Sequence, residues 1–511
     1  MRGAVVKNYE VWGRLSGGGM SDVWLARHRD LALPVIIKTL HTGGEDTFES
    51  RYARLLSEAQ LAARLTSPRI VRVIDVGVYT DPFQPNRETL PFLVEEYVDG
   101  IDLGEFDRRR RQALRRPLPL WIVADQIAQA AEGLHAAHQA GVIHRDVKPS
   151  NLFGYGHAHI KVGDFGVAVC VASRDAAIPA GTPAFMAPEH ILGESVDRRA
   201  DIYSLGATAF ALRYGQTPFE SAGDSVRGEV GPRFPLARSP EEAYFQHVLA
   251  KMMAHRPQAR YANLMIVRHH LYALAQATAP RLVPSRIGEH EVEIGGVRVI
   301  FEVGDLSTVE SEALVNSAQS DMSMRSGVGD ALRRRGGDEI EAQAVAGGER
   351  ALGECIATRA GALSARGVLH AVGGWNEVSC VARAMHRVLL TAEELGFTRI
   401  ALPAIGTGVG RVALEACADA MLGALRLHVS LGGSRLREVR FVLFDPPTFR
   451  RFTDVALGLL YGTEESIHYD DDIDAPASHD DSTTSPTLFA TASDPAQEKR
   501  SPTERLPRSG E

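Results

Sequence analysis

The sequence predicts a multi-domain chain: an α+β block, then an α/β block, then a disordered acidic tail. Three observations predict it. The 511 residues exceed one domain of roughly 100–200 residues. Residues 276–296 (QATAPRLVPSRIGEHEVEIGG) are rich in Pro, Gly and polar side chains, which predicts a linker between residues 9–275 and residues 297–461. Residues 462–511 hold twelve acidic and four basic side chains among Ser, Thr and Pro. Such a segment cannot bury enough apolar surface to offset its ordering entropy.

The tail's excess of eight negative charges equals the net charge of the whole chain, −8. The body is therefore neutral, and no nucleic-acid partner is expected. Hydrophobic residues make up 44% and charged residues 23%, a globular composition. No apolar run reaches the ~18–20 residues of a membrane helix, so no membrane partner is expected. The first ten residues lack the basic-then-apolar layout of a signal peptide. Cys170, Cys355, Cys380 and Cys417 are too scattered for a disulfide framework or a zinc site. They are expected to be small buried side chains in a reducing cytoplasm. There is no internal repeat, and nothing specifies an oligomeric state.

The first block opens with Leu15–Val23, LSGGGMSDV, between two alternating apolar stretches. Glycines there allow a tight hairpin whose backbone N–H groups can close over phosphates. Lys38 follows inside the β-branched run VIIKTL. A lysine in an apolar strand needs an anionic partner, and Glu58 in SEAQLAARL is a candidate; an edge-strand lysine in solvent is the alternative. Then come HRDVKPSN (His144–Asn151), Asp164-Phe165-Gly166, and GTPAFMAPE from Gly181 to Glu189.

These five elements, in this order and spacing, make residues 9–275 resemble the Hanks-type Ser/Thr protein kinases of bacteria. The resemblance implies an α+β bilobal fold and phosphoryl transfer from ATP with Mg²⁺ or Mn²⁺ to protein Ser/Thr hydroxyls. It implies that Asp146 orients the hydroxyl and accepts its proton, with Lys148 and Lys38 stabilising phosphate charge. Asn151 and Asp164 would hold the metal. Leu15, Gly18, Val23, Lys38, Glu58 and Glu96 would surround the nucleotide. Asp201 would brace the catalytic loop, and Glu189 and Arg260 would form a structural ion pair.

Four positions depart from the family's pattern. Ser16 and Ser21 replace loop glycines, Ile36 replaces the usual alanine over the adenine, and Glu95 takes the usually apolar gatekeeper place. The catalytic charges all remain, which favours an active kinase over a silent scaffold. Between Asp164 and Glu189 the only hydroxyls are Ser173 and Thr182. Autophosphorylation is therefore expected mainly on the tail, at Ser478, Ser482, Thr483, Thr484, Ser485 and Thr487. The run Arg108–Arg116, RRRRQALRR, reads as a solvated face of an exposed helix.

The second block alternates strands and helices. Strand-like Val297–Val303 ends at Gly304-Asp305, and ALV leads to Asn316. Ser326-Gly327-Val328-Gly329 opens a helix. IALPA runs into Gly406-Thr407-Gly408-Val409-Gly410 before another, and VRFVLF ends at Phe444-Asp445. Glycine turns that open helices present free N–H groups to an anion. The strings GDLSTVESEALVNSAQ, SGVGDAL, VLHAV, LPAIGTGVGR and FVLFD make this block resemble a macro domain. That resemblance implies an α/β three-layer fold and ADP-ribose as ligand. Asp305 would accept from the adenine amine, and Phe444 would stack on its ring. Gly327, Val328, Gly329, Gly406, Thr407, Gly408, Val409 and Gly410 would cradle the diphosphate and distal ribose. Hydrolytic relatives carry Asn and Asp where this chain has Gln319 and Gly329, so binding without hydrolysis is expected. Arg411 reads equally as a phosphate contact or a surface arginine. His370 reads as a core histidine, and Trp375 and Asn376 as possible pocket-mouth residues.

Together these features predict a kinase tied to ADP-ribose, free or on modified proteins. The macro domain would recruit the kinase to ADP-ribosylated partners or gate it, and a flexible linker favours recruitment. The rival readings are a silent kinase scaffold and a bifunctional kinase and ADP-ribosyl hydrolase.

Overall fold

The computed structural model describes residues 3–17, 21–40, 48–80, 89–156, 158–165, 169–170, 183–228, 231–375 and 378–461. They belong to one compact unit, Met1–Thr463. The hairpin residue Gly18, the hydroxyls Ser173 and Thr182, Asn376 and the whole tail lie outside the described residues, as do the side chains of Ser16, Ser21, Glu58, Cys170 and Trp375.

The chain begins with a six-stranded antiparallel sheet in the order Val5–Val6, Tyr9–Gly17, Ser21–His28, Pro34–Leu40, Leu90–Glu96, Val73–Tyr79. Alternation places Val11, Ala26, Val35, Ile37, Phe92 and Val94 in one apolar cluster and Trp12, Leu25 and Ile36 in another. Helix Phe48–Ala62 packs Leu55 and Ala59 on Leu93. A larger, mainly helical lobe follows. Helices Leu120–Gln139, Arg199–Tyr214 and Leu264–Thr278 share a core that includes Ile127, Leu134, Leu205, Phe210, Leu249 and Leu271.

The second block is an eight-stranded mixed sheet covered on both faces. Its order is Ser285–Gly288, Glu291–Ile294, Val297–Val303, Glu438–Leu443, Arg399–Leu402, Ala313–Ser317, Gly367–Ala371, Cys355–Arg359. The five strands from Val297–Val303 to Gly367–Ala371 run parallel. Along them alternate residues feed opposite layers. Val315, Leu369 and Leu402 join Met385, Leu425 and Phe452 on one side. Leu314, Val368 and Ala401 join Leu332 and Ile340 on the other.

The expected linker is largely structured. Two of its stretches, Ser285–Gly288 and Glu291–Ile294, are the edge strands of this sheet. Only residues 279–284 separate the sheet from helix Leu264–Thr278. The missed signal is EVEIGGVRVI. Val292 and Ile294 are fully buried, and Gly295 and Gly296 both take positive φ, 56° and 80°, as a two-residue hairpin requires.

The blocks are docked on each other. Asp99, half-buried just after strand Leu90–Glu96, accepts from Ser379 Oγ at 2.8 Å and from the N–H groups of Ala382 and Arg383 at 3.4 Å. It thereby satisfies orphan donors at the start of helix Val381–Glu394, whose own N-cap residue makes no side-chain cap bond. Tyr97 donates to Ser379 O at 2.9 Å, and Arg383 donates to Gly100 O at 2.7 Å. Arg387 grips Glu105 through three bonds of 2.8–3.0 Å. Burial pushes the Glu105 carboxyl up, but Arg387, Arg109 and Arg383 together outweigh it and the net direction is down. Such a pair sets the geometry of docking more than its strength. Leu390 and Leu431 complete the helical lobe's core. Leu352, Val372, Val378 and Cys380 share a cluster with Trp12, Leu15, Val23 and Ile36.

This docking overturns the reading of Arg108–Arg116 as a solvated face. In helix Leu103–Leu114, Arg110 is 2% exposed and donates to Leu431 O and Gly432 O of the second block. The helix is a contact element because its far side is covered by residues more than 300 positions away.

Candidate active site and candidate nucleotide crevice

In the first block, Asp201 on helix Arg199–Tyr214 is fully buried. It accepts from the N–H of His144 and of Arg145, both at 2.9 Å, and from His138 Nε2 at 2.7 Å. Burial pushes its carboxyl up, and these bonds pull the net direction down. The His144 ring bonds Gly163 O at 3.0 Å and lies 4.5 Å from the Phe165 ring. The loop bearing Asp146 and the one bearing Asp164 are thereby tied to one buried carboxylate. Arg145 and Asp164 hold positive φ, 67° and 63°, a conformation costing of order 1–3 kcal/mol each. That strain falls where the sequence places the chemistry.

Asp146 Oδ2 accepts from Lys148 Nζ at 2.7 Å and from Asn151 Nδ2 at 3.2 Å; Asn151 Nδ2 also reaches Asp146 O at 2.8 Å. This orients the Asn151 amide with its nitrogen toward the loop. The Asn151 oxygen and the half-exposed Asp164 carboxylate are hard donors suited to Mg²⁺, which keeps waters and phosphate oxygens as its other ligands. Lys38 lies 3.8 Å from Asp164. Its closer partner is Glu95, at 2.8 Å, and Glu95 is 5% exposed. The acid at the gatekeeper place thus has its partner in the strand lysine. Glu96 commits its carboxylate to Lys161 at 2.9 and 3.0 Å. Leu15, Val23 and Ile36 lie in the cluster that the second block completes. Arg260 and Glu189 form a buried two-armed pair at 2.6 and 2.7 Å.

In the second block, the sequence-predicted residues fall at the carboxyl ends of adjacent parallel strands, where open α/β sheets bind ligands. Asp305 and Phe444 follow neighbouring strands Val297–Val303 and Glu438–Leu443. Phe444 is 85% exposed, and Asp305 is exposed with one oxygen accepting from Ser307 N–H at 2.9 Å. The Gly406–Gly410 loop follows the next strand, Arg399–Leu402, and is pinned to Ala313–Ser317 by Gly406 N–H to Ser317 Oγ at 3.0 Å. Helix Gly327–Gly336 starts with Gly327 at φ 55°. A Cβ at Gly329 would lie 3.1 Å from Asn316 Oδ1, so a side chain there would need Asn316 to give way by a few tenths of an ångström. That Asn316 oxygen is buried without a partner. Phe444 thus lies one strand and Asp305 two strands from the Gly406–Gly410 loop, about 5 and about 10 Å at usual strand spacing.

His370 is fully buried between Asn316 at 3.1 Å and Thr358 at 2.9 Å. Burial lowers its pKa to about 4, so it is a neutral core histidine. Gln319 reaches Ser326 Oγ at 3.4 Å. Arg411, at φ 53°, closes the glycine loop by bonding Gly408 O through its N–H. Cys380 and Cys417 are buried, and Cys355 is half-buried; burial pushes the Cys355 and Cys380 thiols up to about 12.

Sequence reasoning missed Tyr97 and Asp99. Both follow strand Leu90–Glu96 directly, and they touch Ser379, Cys380 and the helix start behind them. Cys380 N–H in turn donates to Gly373 O at 2.8 Å, and Gly373 packs directly under Gly406. No local signal marks Asp99, because its partners lie some 280 residues away.

The protein kinase domain model matches residues 9–272, and the macro domain model matches residues 315–421. Similar curated proteins are the serine/threonine-protein kinases PknB of Mycobacterium tuberculosis, Pkn1 of Myxococcus xanthus and PksC of Streptomyces coelicolor. PknB is 36% identical over 290 residues, 53% of this chain and 44% of that protein. Pkn1 is 32% identical over 300 residues, 56% of this chain and 40% of that protein. PksC is 33% identical over 294 residues, 54% of this chain and 51% of that protein. The chain thus spans about half the length of these relatives, or less.

Proposed function

We propose, from the premise that this chain belongs to the protein kinase family and carries a macro domain behind its kinase domain, that it phosphorylates protein Ser/Thr hydroxyls and that ADP-ribose gates this activity. Bound Mg²⁺, held by Asp164 and Asn151, would supply neutralising charge for the triphosphate. Asp146, held by Lys148 and Asn151, orients the incoming hydroxyl and takes its proton. Lys148 then offsets charge on the transferred group, and Lys38 positions the α/β-phosphates. The setting is cytoplasmic, with ADP-ribosylated proteins among the partners. No helix among the described residues is long and apolar enough to cross a membrane.

The observation that carries the gating reading is the cap that Asp99 places on helix Val381–Glu394. It joins the segment between the kinase lobes to Ser379–Cys380, and through Gly373 to the Gly406 loop. A ligand that shifts the Gly406 loop acts on a surface continuous with the nucleotide cleft. Recruitment through a flexible linker loses its main support, because only residues 279–284 lie between helix Leu264–Thr278 and the macro sheet. Gating still requires ADP-ribose to bind two kinase states unequally. The macro domain binds and does not hydrolyse in this reading. Asn316, Gln319, Ser326 and Gly329 bring no carboxylate to the place where hydrolytic relatives have one.

The test is phosphate transfer to a Ser/Thr peptide by the full chain, with and without saturating ADP-ribose. A rate change of about threefold or more is expected, in line with typical coupling free energies, and it should vanish in Asp99→Ala. An unchanged wild-type rate would leave recruitment as the role of the macro domain. The Lys38–Glu95 pair favours one second reading, a slow kinase whose lysine is held away from phosphates.

A further inference from the structure

A cavity of about 730 Å³ opens where the kinase C-lobe meets the macro domain. Arg110, Arg111, Arg115, Arg116, Arg213 and Arg238 line it, against the single carboxylate of Glu242. Its walls come from the end of helix Leu103–Leu114 and the loop after it, the end of helix Arg199–Tyr214, residues 235–238, and Leu431–Gly433 of the macro domain. None of the lining residues belongs to the kinase cleft or to the ADP-ribose crevice; helix Arg199–Tyr214 carries Asp201 in its first turn and lines the cavity with its last.

The positive charge is only partly answered from within. Arg111 pairs with Asp107 at 2.7 Å and Arg213 with Glu242 at 3.0 Å. Those two carboxylates leave an excess of four guanidinium charges among the six. Arg110 spends its bonds on neutral acceptors, the carbonyls of Arg116, Pro117, Leu431 and Gly432, at 2.8–3.2 Å. Burial lowers its pKa to about 10, the sign of a desolvated cation short of counter-charge. Arg213 Nε is buried with no partner. Arg115, Arg116 and Arg238 are exposed.

The wall is also pre-shaped. A side chain at Gly433 would meet Arg116 Cδ at 2.7 Å, and one at Gly215 would meet Arg111 at 2.6 Å. Both glycines take positive φ, 77° and 71°. The Arg116 side chain therefore lies on Gly433 of the macro domain and the Arg111 guanidinium on Gly215 of the kinase domain.

We infer that this cavity is a third anion site, taking a small ligand with two or more linked phosphates and joining the two domains through it. Guanidinium forks match phosphate oxygens two at a time. The excess of four charges suits an oligophosphate better than a single phosphate. The volume lies within the ~300–1,000 Å³ usual for small-ligand sites. Tyr214, Pro235 and Leu236 on the rim offer an apolar face to an organic part such as a nucleoside. A ligand seated there would touch helix-lobe arginines and the Leu431–Gly433 turn together, and so would stabilise the docked arrangement.

The test is calorimetry of the full chain with inorganic tripolyphosphate, without added metal, beside orthophosphate and sulfate at equal ionic strength. Tripolyphosphate can also reach the other two phosphate-handling sites, so variants separate them. Arg116→Ala/Arg238→Ala changes two exposed side chains and should weaken tripolyphosphate about tenfold or more. Gly408→Glu and Lys38→Met should each leave that binding component in place. Circular dichroism and melting temperature confirm that the double variant is folded, and Arg116→Lys/Arg238→Lys should restore part of the affinity. Equal affinity in wild type and the double variant would overturn the site. So would tripolyphosphate binding no tighter than sulfate. Neither outcome depends on phosphate transfer, so failure here and failure of the kinase reading are separate events.

Discussion

In the proposed function the kinase cleft and the macro crevice both take nucleotide phosphates, but they are made of different materials. The cleft gathers charged and polar side chains: Lys38, Asp146, Lys148, Asn151 and Asp164 come from three stretches of chain and contact one another at 2.7–3.8 Å. The crevice is mostly backbone. Its glycine loops sit at the ends of parallel strands, and the Asn316 oxygen beside Gly329 is buried without a partner among the described residues. The first site depends on charge; the second depends on empty space and exposed N–H groups. Removing a side chain should therefore damage one site, and adding one should damage the other.

The largest expected effect is Asp146→Asn. It keeps the shape but removes the proton acceptor, so kcat should fall by about 10²–10⁴-fold, with ADP-ribose affinity unchanged. Radiolabel transfer and calorimetry on the same preparation check both halves. A silent scaffold would show no difference between the two proteins. Next is Gly408→Glu. A Cβ there meets nothing within 4 Å, so folding should be unaffected. A carboxylate beside a bound diphosphate should weaken ADP-ribose roughly ten- to hundredfold, as like charges ~4 Å apart repel by about 1–4 kcal/mol at the relevant dielectric. Unchanged affinity in that titration would remove the loop from the ligand site. The smallest effect is Glu95→Gln, which loosens the partly buried Lys38 pair. The KM for ATP should fall about two- to fivefold, the scale of an ion pair worth up to ~1 kcal/mol. A rise instead would mean that Glu95 positions Lys38 for catalysis rather than withholding it.

Much of both sites was legible because their residues cluster in short strings. HRDVKPSN places Asp146, Lys148 and Asn151 within one loop, and their bonds to one another are local. The glycine strings likewise lie where strands end, and strand ends can be read from apolar runs. Reading stopped where a partner was distant. Glu95 stands out in the sequence as an acid at a usually apolar place, yet only the Leu93–Lys38 strand register brings it to Lys38. The Arg108–Arg116 run looked solvated because charged runs usually are; its cover comes from Leu431–Gly433. The Gly295-Gly296 hairpin was missed because the short strands beside it were read with a polar linker.

The sequence by itself determined which chemistry this chain can carry. The proposed metal-binding carboxylate and amide, proton acceptor, phosphate-directed lysines and two glycine loops before helices are read from residue type and local spacing. Only the tertiary structure decided how the two nucleotide sites are joined. That depends on Asp99 meeting the start of helix Val381–Glu394, and on Arg110 meeting the turn at Leu431. Burial and pairing of charges are set by what lies across the interface, and chain separations of about 280–320 residues leave no periodicity that a linear reading can follow.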